Sequence, residues 1–126
     1  MDSCLTYFCV IYDKNNFNLE DFKKMLGLTD NDFSISLKKQ KIEIGRNDYL
    51  NIDINIMIRE TLKKIFGKEN ILVELKEKYG LEYYLVRVVY IKSEEGEIHP
   101  ILSLDNDIIE FIYKTKAKED LDYYII

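Results

Sequence analysis

Tyr83-Tyr84-Leu85-Val86-Arg87-Val88-Val89-Tyr90-Ile91 decides how this chain is read. β-Branched and aromatic residues hold most of its positions, the composition that suits a pleated, packed surface. Successive side chains point to opposite faces, so Tyr84, Val86, Val88 and Tyr90 share one side and Tyr83, Leu85, Arg87, Val89 and Ile91 the other. A strand apolar on both sides is expected in the middle of a sheet with both faces covered. Arg87 is the exception. It reads either as an arginine that pairs with a carboxylate across the sheet or carries its head to water, or as a reader of an anionic ligand on an open sheet face.

Working outward, the spacing predicts a strand over Glu82–Lys92, a turn at Ser93-Glu94-Glu95-Gly96 and a second strand over Glu97–Leu104. A helix over Asp105–Lys116 follows, with Asp105 as N-cap, Asp107 favourably placed against the helix dipole, and Ile108, Ile109, Phe111 and Ile112 as its buried side. Asp120–Ile126 closes the chain as a strand too apolar to fray.

Upstream, Leu5–Tyr12 reads as the opening strand, and Asn18 as the N-cap of a short amphipathic helix carrying Leu19, Phe22 and Leu26. Gly27 is placed to take its left-handed cap and Leu28 to fold back in a Schellman closure. Phe33–Leu37 and Lys41–Arg46 alternate in polarity as strands do. From Asp53 the period becomes helical, with Ile54, Met57, Ile58, Leu62, Ile65 and Phe66 in one stripe and Gly67 as its stop. A further helix turns Ile71, Leu72, Leu75 and Tyr79 inward and stops at Gly80. The whole reads as one globular domain over 1–126, of the α+β class: a mostly antiparallel sheet with about four helices packed on it.

The 126 residues are 47% hydrophobic and 33% charged, which fits a folded domain and argues against disorder. A net charge of −5 makes the chain a poor nucleic-acid binder, because such binding draws on lysine and arginine. Lys38-Lys39-Gln40-Lys41 reads as a solvated connection. No apolar run is long enough to span a bilayer, and Met1-Asp2-Ser3-Cys4 lacks the features of an export signal. Cys4 and Cys9, about 16 Å apart along one strand, are too distant for a disulfide. They are expected as reduced thiols in a cytoplasmic protein.

The catalytic motifs searched for are missing. His99 is the single histidine, which rules out multi-histidine metal sites; it precedes Pro100, the single proline, and reads as a strand-edge or bulge position. Asp30-Asn31-Asp32 lacks the glycine and terminal glutamate of a calcium loop and reads as an Asx-type turn. Neither a nucleophile elbow nor a phosphate-cradling glycine loop occurs, and no spacing singles out a carboxylate pair among 23 acidic residues. The expectation is a protein that is not an enzyme and has no cofactor or metal.

Several segments carry a resemblance. These are Tyr79-Gly80-Leu81, the strand ending Val89-Tyr90-Ile91, Pro100-Ile101-Leu102-Ser103-Leu104, the helix with Ile109-Glu110-Phe111, and Leu121-Asp122-Tyr123-Tyr124. Together with the opening strand and Leu26-Gly27-Leu28, they make the chain resemble the bacterial domain-of-unknown-function family 4279. The resemblance implies a small α+β domain with no catalytic residues to transfer, and an association with toxin–immunity loci.

The leading expectation is therefore a non-enzymatic binding protein, in its sharpest form an immunity-type inhibitor of a bacterial toxin. An acidic domain with tyrosine-rich strands suits a basic protein partner. The carboxylates of Glu94, Glu95 and Glu97 at one turn are the candidate contact, read otherwise as a solvated turn. The alternatives are a small-molecule or peptide sensor built around Arg87, and a structural homodimer that closes an apolar sheet face.

Overall fold

The computed structural model describes residues 3–50, 53–91 and 103–125. In chain order these form β1 (Ser3–Ile11), α1 (Leu19–Leu26), β2 (Phe33–Ser36), β3 (Lys41–Leu50), α2 (Ile54–Leu62), α3 (Glu69–Tyr79), β4 (Glu82–Ile91), α4 (Asn106–Thr115) and β5 (Lys118–Ile125). Local chemistry sets most of these boundaries. Asn18 accepts from the Asp21 N–H at 3.0 Å and opens α1, and the Asp53 carboxylate accepts from Asn55 N–H at 2.8 Å and opens α2. Gly27 closes α1 in the left-handed region, and the Leu28 N–H reaches the Lys23 carbonyl at 2.9 Å, the expected Schellman closure. At Thr29–Asp32 the Asp32 N–H bonds the Thr29 carbonyl at 3.0 Å and the Asp32 carboxylate accepts from Thr29 N–H at 2.7 Å, a backward bond in place of the expected Asx-type turn, whose side chain reaches two residues on.

The five strands lie in the order β2-β3-β1-β4-β5. Every neighbouring pair is antiparallel except β4 and β5, which run parallel. Four helices pack on this mostly antiparallel sheet, so the fold is α+β as expected. Cys4, Phe8 and Val10 of β1, Ile42 and Ile44 of β3, and Tyr83, Leu85 and Val89 of β4 share the core with residues of all four helices. The Phe8 ring lies 5.3 Å from Tyr83 and 5.9 Å from Phe111, tying β1, β4 and α4 together. Each such fully buried side chain stabilises the fold by about 1.5–3 kcal/mol.

One irregularity shapes the sheet. Between the Phe8–Ile44 and Thr6–Asn47 pairs, Gly45 and Arg46 together oppose Tyr7, and Gly45 takes φ +66°. This is a glycine bulge. It bends β3 toward α2 so closely that a Cβ on Gly45 would overlap the Thr61 carbonyl, with the carbonyl carbon at 2.9 Å. Beside it the buried Thr6 and Thr61 hydroxyls bond to each other.

Several expectations need correction. β1 and β5 take both edges of β4 over Tyr84–Tyr90, so its pairing there is with these strands and not with a following hairpin strand. Residues 92–102, with the expected turn and most of the second strand, lie outside the described residues, and Ser103 and Leu104 are not strand. Among the described residues, helices cover one sheet face and not both. The helices share the core of one face, and no described helix contributes to the other. α2 ends at Leu62 rather than at Gly67, since the Ile65 and Phe66 N–H groups both turn back to the Leu62 carbonyl at 2.8 Å. In α4, Ile108 and Phe111 are buried but Ile109 is 49% exposed.

Asp105 sits at the N-cap position of α4 without a capping bond from its side chain. Its carboxylate goes to Arg59 Nη2 at 2.6 Å instead, and Asp107 accepts from the same guanidinium at 2.8 and 3.1 Å. One turn earlier, the buried amide of Asn55 donates to the Ser103 carbonyl at 3.1 Å and accepts from Asp105 N–H at 2.8 Å. α2 thereby holds the start of α4. The exposed ion pairs contribute less than the Asn55 bonds, which satisfy groups shielded from water.

Two outcomes are expected. Gly45→Ala sets a Cβ against fixed backbone in the left-handed region, so urea unfolding should show a loss of about 3 kcal/mol or more. Arg59 holds the Asp107 carboxyl below the ordinary aspartate range by hydrogen bonding, burial opposing it only in part. A carboxyl lowered in this way stabilises the fold above its unfolded pKa of about 3.9 and loses that contribution as pH falls through the folded value. Asp107→Asn should therefore lower the melting temperature at pH 7, and the gap from the unmodified protein should close below pH ~3.9. An equal gap at both pH values would exclude the charge as its cause.

Candidate functional site

The residues singled out in the sequence separate. Glu94, Glu95 and Glu97 lie outside the described residues, as do His99 and Pro100. Arg87 is on the helix-covered face of β4, 4% exposed, and its Nη2 donates to Glu119 Oε1 on β5 at 3.2 Å. Burying a guanidinium costs several kcal/mol unless a carboxylate and hydrogen bonds accompany it, and Glu119 supplies the carboxylate and one such bond. Leu104, Ile109 and Ile112 complete a recess of about 390 Å³ over this ion pair.

The two thiols face opposite sides of β1. Cys4 belongs to the core, whereas Cys9 lies on the helix-free face beside Tyr84 and Glu43 in the register. Burial pushes the Cys4 thiol up to about 11, against a smaller lowering by Arg87. Burial raises Cys9 as well, with Lys41 opposing. Neither has the electropositive, exposed setting of a nucleophilic cysteine.

The helix-free face carries the most distinctive surface. Leu5, Tyr7, Cys9 and Ile11 of β1 lie beside Tyr84, Val86, Val88 and Tyr90 of β4, and beyond them stand Lys118, Asp120, Asp122 and Tyr124 of β5. Cys9 and Val86 are only 5% exposed, so neighbouring side chains cover the middle of this face. Towards β5 it opens: Tyr90 and Tyr124 stack at 5.5 Å and are 37% and 49% exposed.

Charge is distributed unevenly across the same face. On the β3 side, Lys41 and Arg46 lie 5.9 and 5.4 Å from the Tyr7 ring, and both pair with Glu43, at 3.4 and 2.9 Å. On the β5 side, Asp120 and Asp122 are exposed, with Lys118 held over Tyr84 at 5.9 Å. Asp120 and Asp122 thus stand beside Val86 and Val88, between Tyr84 and Lys118 at one end and the Tyr90–Tyr124 stack at the other. Asp120, Asp122 and Tyr124 escaped notice as site residues although their spacing held the signal. Acids two apart in a strand share a face, and an acidic pair among apolar residues marks that face as solvent-exposed.

A second, polar cleft of about 460 Å³ opens where the Gly45 bulge meets α2. Arg46, Lys63 and Lys64 line it together with Asp32, Glu43 and Glu60. These charges are already matched: Arg46 bonds Glu43 at 2.9 Å, Lys63 bonds Glu60 at 2.6 Å, and Lys64 approaches Asp32 at 4.0 Å. Among the described residues no group of three or more His, Cys, Asp or Glu side chains is arranged to hold a metal ion, and no helix is long and apolar enough to cross a membrane.

Comparison with known families assigns the family. The family model "Domain of unknown function (DUF4279)" matches residues 41–126. The chain belongs to this family. No curated protein and no solved structure matches it. The DUF4279 match begins at the first residue of β3 and so omits β1, yet β1 lies between β3 and β4 and pairs with both. The structural unit therefore includes the strand before the matched segment.

The thiol environments give a direct check. With Cys4 near 11, roughly a few hundred-fold less thiolate is present at pH 7.5 than for an ordinary thiol near 8.5. Native protein at that pH should leave both cysteines unalkylated by iodoacetamide under conditions that fully label the urea-unfolded chain. Rapid native labelling of either would show that its strand opens.

Proposed function

We propose that this DUF4279 protein is a non-enzymatic binding protein that docks a basic protein surface on the β5 side of its helix-free sheet face. The sharpest form of this reading is an immunity-type inhibitor that covers a toxin. The observation that carries it is the juxtaposition of the stacked, half-exposed Tyr90 and Tyr124 with Asp120 and Asp122 on one uncovered face. Tyrosine offers large contact area with few rotatable bonds, so little entropy is lost when it is buried. Carboxylates at the margin favour a basic partner and accelerate encounter. The chain's net charge of −5 acts in the same direction at longer range.

The test is co-purification of the tagged protein from its own host at low and high salt, beside Asp120→Lys/Asp122→Lys and Tyr90→Ala/Tyr124→Ala. A stoichiometric basic partner should be retained by the unmodified protein at low salt and released at high salt. Charge reversal should slow its association by about tenfold at low salt, with the difference shrinking as salt rises. The tyrosine variant should mainly accelerate dissociation. A partner held equally by all three proteins, or recovery of self-associated chain alone, would overturn the reading.

A further inference from the structure

The two outer strands of the sheet differ in how they end it. β2 is four residues long, Phe-Ser-Ile-Ser, and offers little backbone to another strand. β5 is eight residues long and pairs with β4 in an unbroken register from Tyr84–Lys118 to Ile91–Ile125. Among the described residues β4 is its only strand neighbour. A long, regular edge is a template for another strand, and natural sheets blunt such edges with proline, bulges, lysine or a covering element. β5 contains no proline, and its register contains no bulge. Its guards are carboxylates: Glu119, Asp120 and Asp122, set between Leu121, Tyr123 and Tyr124, which are 41–49% exposed.

Carboxylates guard selectively. If two copies of β5 met antiparallel, Asp120 and Asp122 of one would stand near those of the other, and like charges in cross-strand positions destabilise pairing. A strand bearing lysine or arginine meets no such penalty. The other side of the edge asks for something different. There α4 leaves the recess over Arg87 and Glu119 and a second of about 580 Å³, the two sharing Ile109 and Ile112, with Tyr113 and Ala117 extending the apolar wall and Lys114 and Lys116 also lining the second, where they disfavour a basic side chain on this side. A strand lying along β5 sends alternate side chains to the two sides. Its basic residues then face Asp120 and Asp122, and its apolar residues face α4.

We propose that the outer edge of β5 accepts an extended segment of a partner protein, alternating basic and apolar residues, as a sixth strand of the sheet. This rests on the docking reading above and specifies its contact: backbone hydrogen bonds supply affinity, and the acidic and apolar sides supply selection.

The probe is a synthetic eight-residue peptide of alternating lysine and valine, titrated into the full chain by fluorescence anisotropy at low salt. Two control peptides accompany it: the same sequence with glutamate for lysine, and the lysine–valine peptide N-methylated at every residue, which keeps its charge but has no backbone donors. Amide hydrogen exchange of residues 118–125 is followed in parallel. The lysine–valine peptide should bind at least tenfold more tightly than either control and slow exchange along β5. Asp120→Lys/Asp122→Lys, checked for an unchanged melting temperature, and the milder Asp120→Asn/Asp122→Asn should both weaken it.

Equal binding of the N-methylated peptide would overturn strand addition while leaving an acidic docking face intact. Absence of binding by the lysine–valine peptide, or peptide-independent dimerisation that protects β5, would also overturn it. The docking reading fails separately, if the co-purified partner ignores charge reversal.

Discussion

Both edges of β1 are saturated, one by β3 and the other by β4, and the positions of the remaining elements follow from that. With β1 between them, β3 and β4 are held apart, and β5 adds beyond β4 rather than beside β3. Because β4 and β5 are parallel, the chain must cross from one end of the sheet to the other between them, and α4 lies on that crossing. α2 is fixed against β1 and β3 by the Gly45 bulge and the Thr6–Thr61 bond, and through Asn55 and Arg59 it fixes α4 in turn. A family match that starts at β3 thus describes elements whose arrangement depends on a strand outside the match.

The helices cover one face, and this one-sidedness decides what the tyrosines do. Inside, Tyr83 is 1% exposed and its hydroxyl donates to the Leu72 carbonyl at 2.6 Å, while the Tyr79 hydroxyl donates to Asp21 at 2.6 Å. Leaving the Tyr83 hydroxyl unpaired in its dry site would cost about 1–3 kcal/mol, which its bond avoids. On the other face, tyrosine takes the role that a second layer of helices plays elsewhere. The ring shields the strand beneath it and the hydroxyl meets water. Cys9 and Val86 are accordingly buried there with no helix above them.

The helix boundaries and the class of fold were legible because their causes are local. Asn18, Asp53 and Gly27 act on backbone groups within a few residues, and a helical stripe needs only its own spacing. What was misread depends on distant partners. β3 runs on to Leu50 because the bulge spends both Gly45 and Arg46 opposite Tyr7, which breaks the two-residue period that had identified the strand up to Arg46. Asp105 stands where a cap belongs, but Arg59, 46 residues away, takes its side chain. Whether Glu82–Ile91 pairs with the segment that follows it or with the end of the chain depends on which strands claim its edges, and periodicity carries no record of that. The same limit applied to the candidate site. Arg87 drew attention because it breaks an apolar run, whereas Asp120 and Asp122 gained meaning only once β5 was placed at the edge.

β5 shows how an edge strand can be held firmly and remain available. Its inner side is secured three times over: by the ladder to β4, by Arg87 reaching across to Glu119, and by the Tyr90–Tyr124 stack on the opposite face. The Arg87–Glu119 pair joins a buried guanidinium to a half-exposed carboxylate, so it adds a charged link between the strands to the backbone ladder. The outer side bears carboxylates at Asp120 and Asp122 that form no part of that anchorage. Of these eight residues, Tyr124 belongs both to the anchorage and to the exposed face, whereas Asp120 and Asp122 belong to the exposed face alone. In cross-strand register with a second copy of β5, Asp120 and Asp122 would meet like charges, which destabilises that pairing.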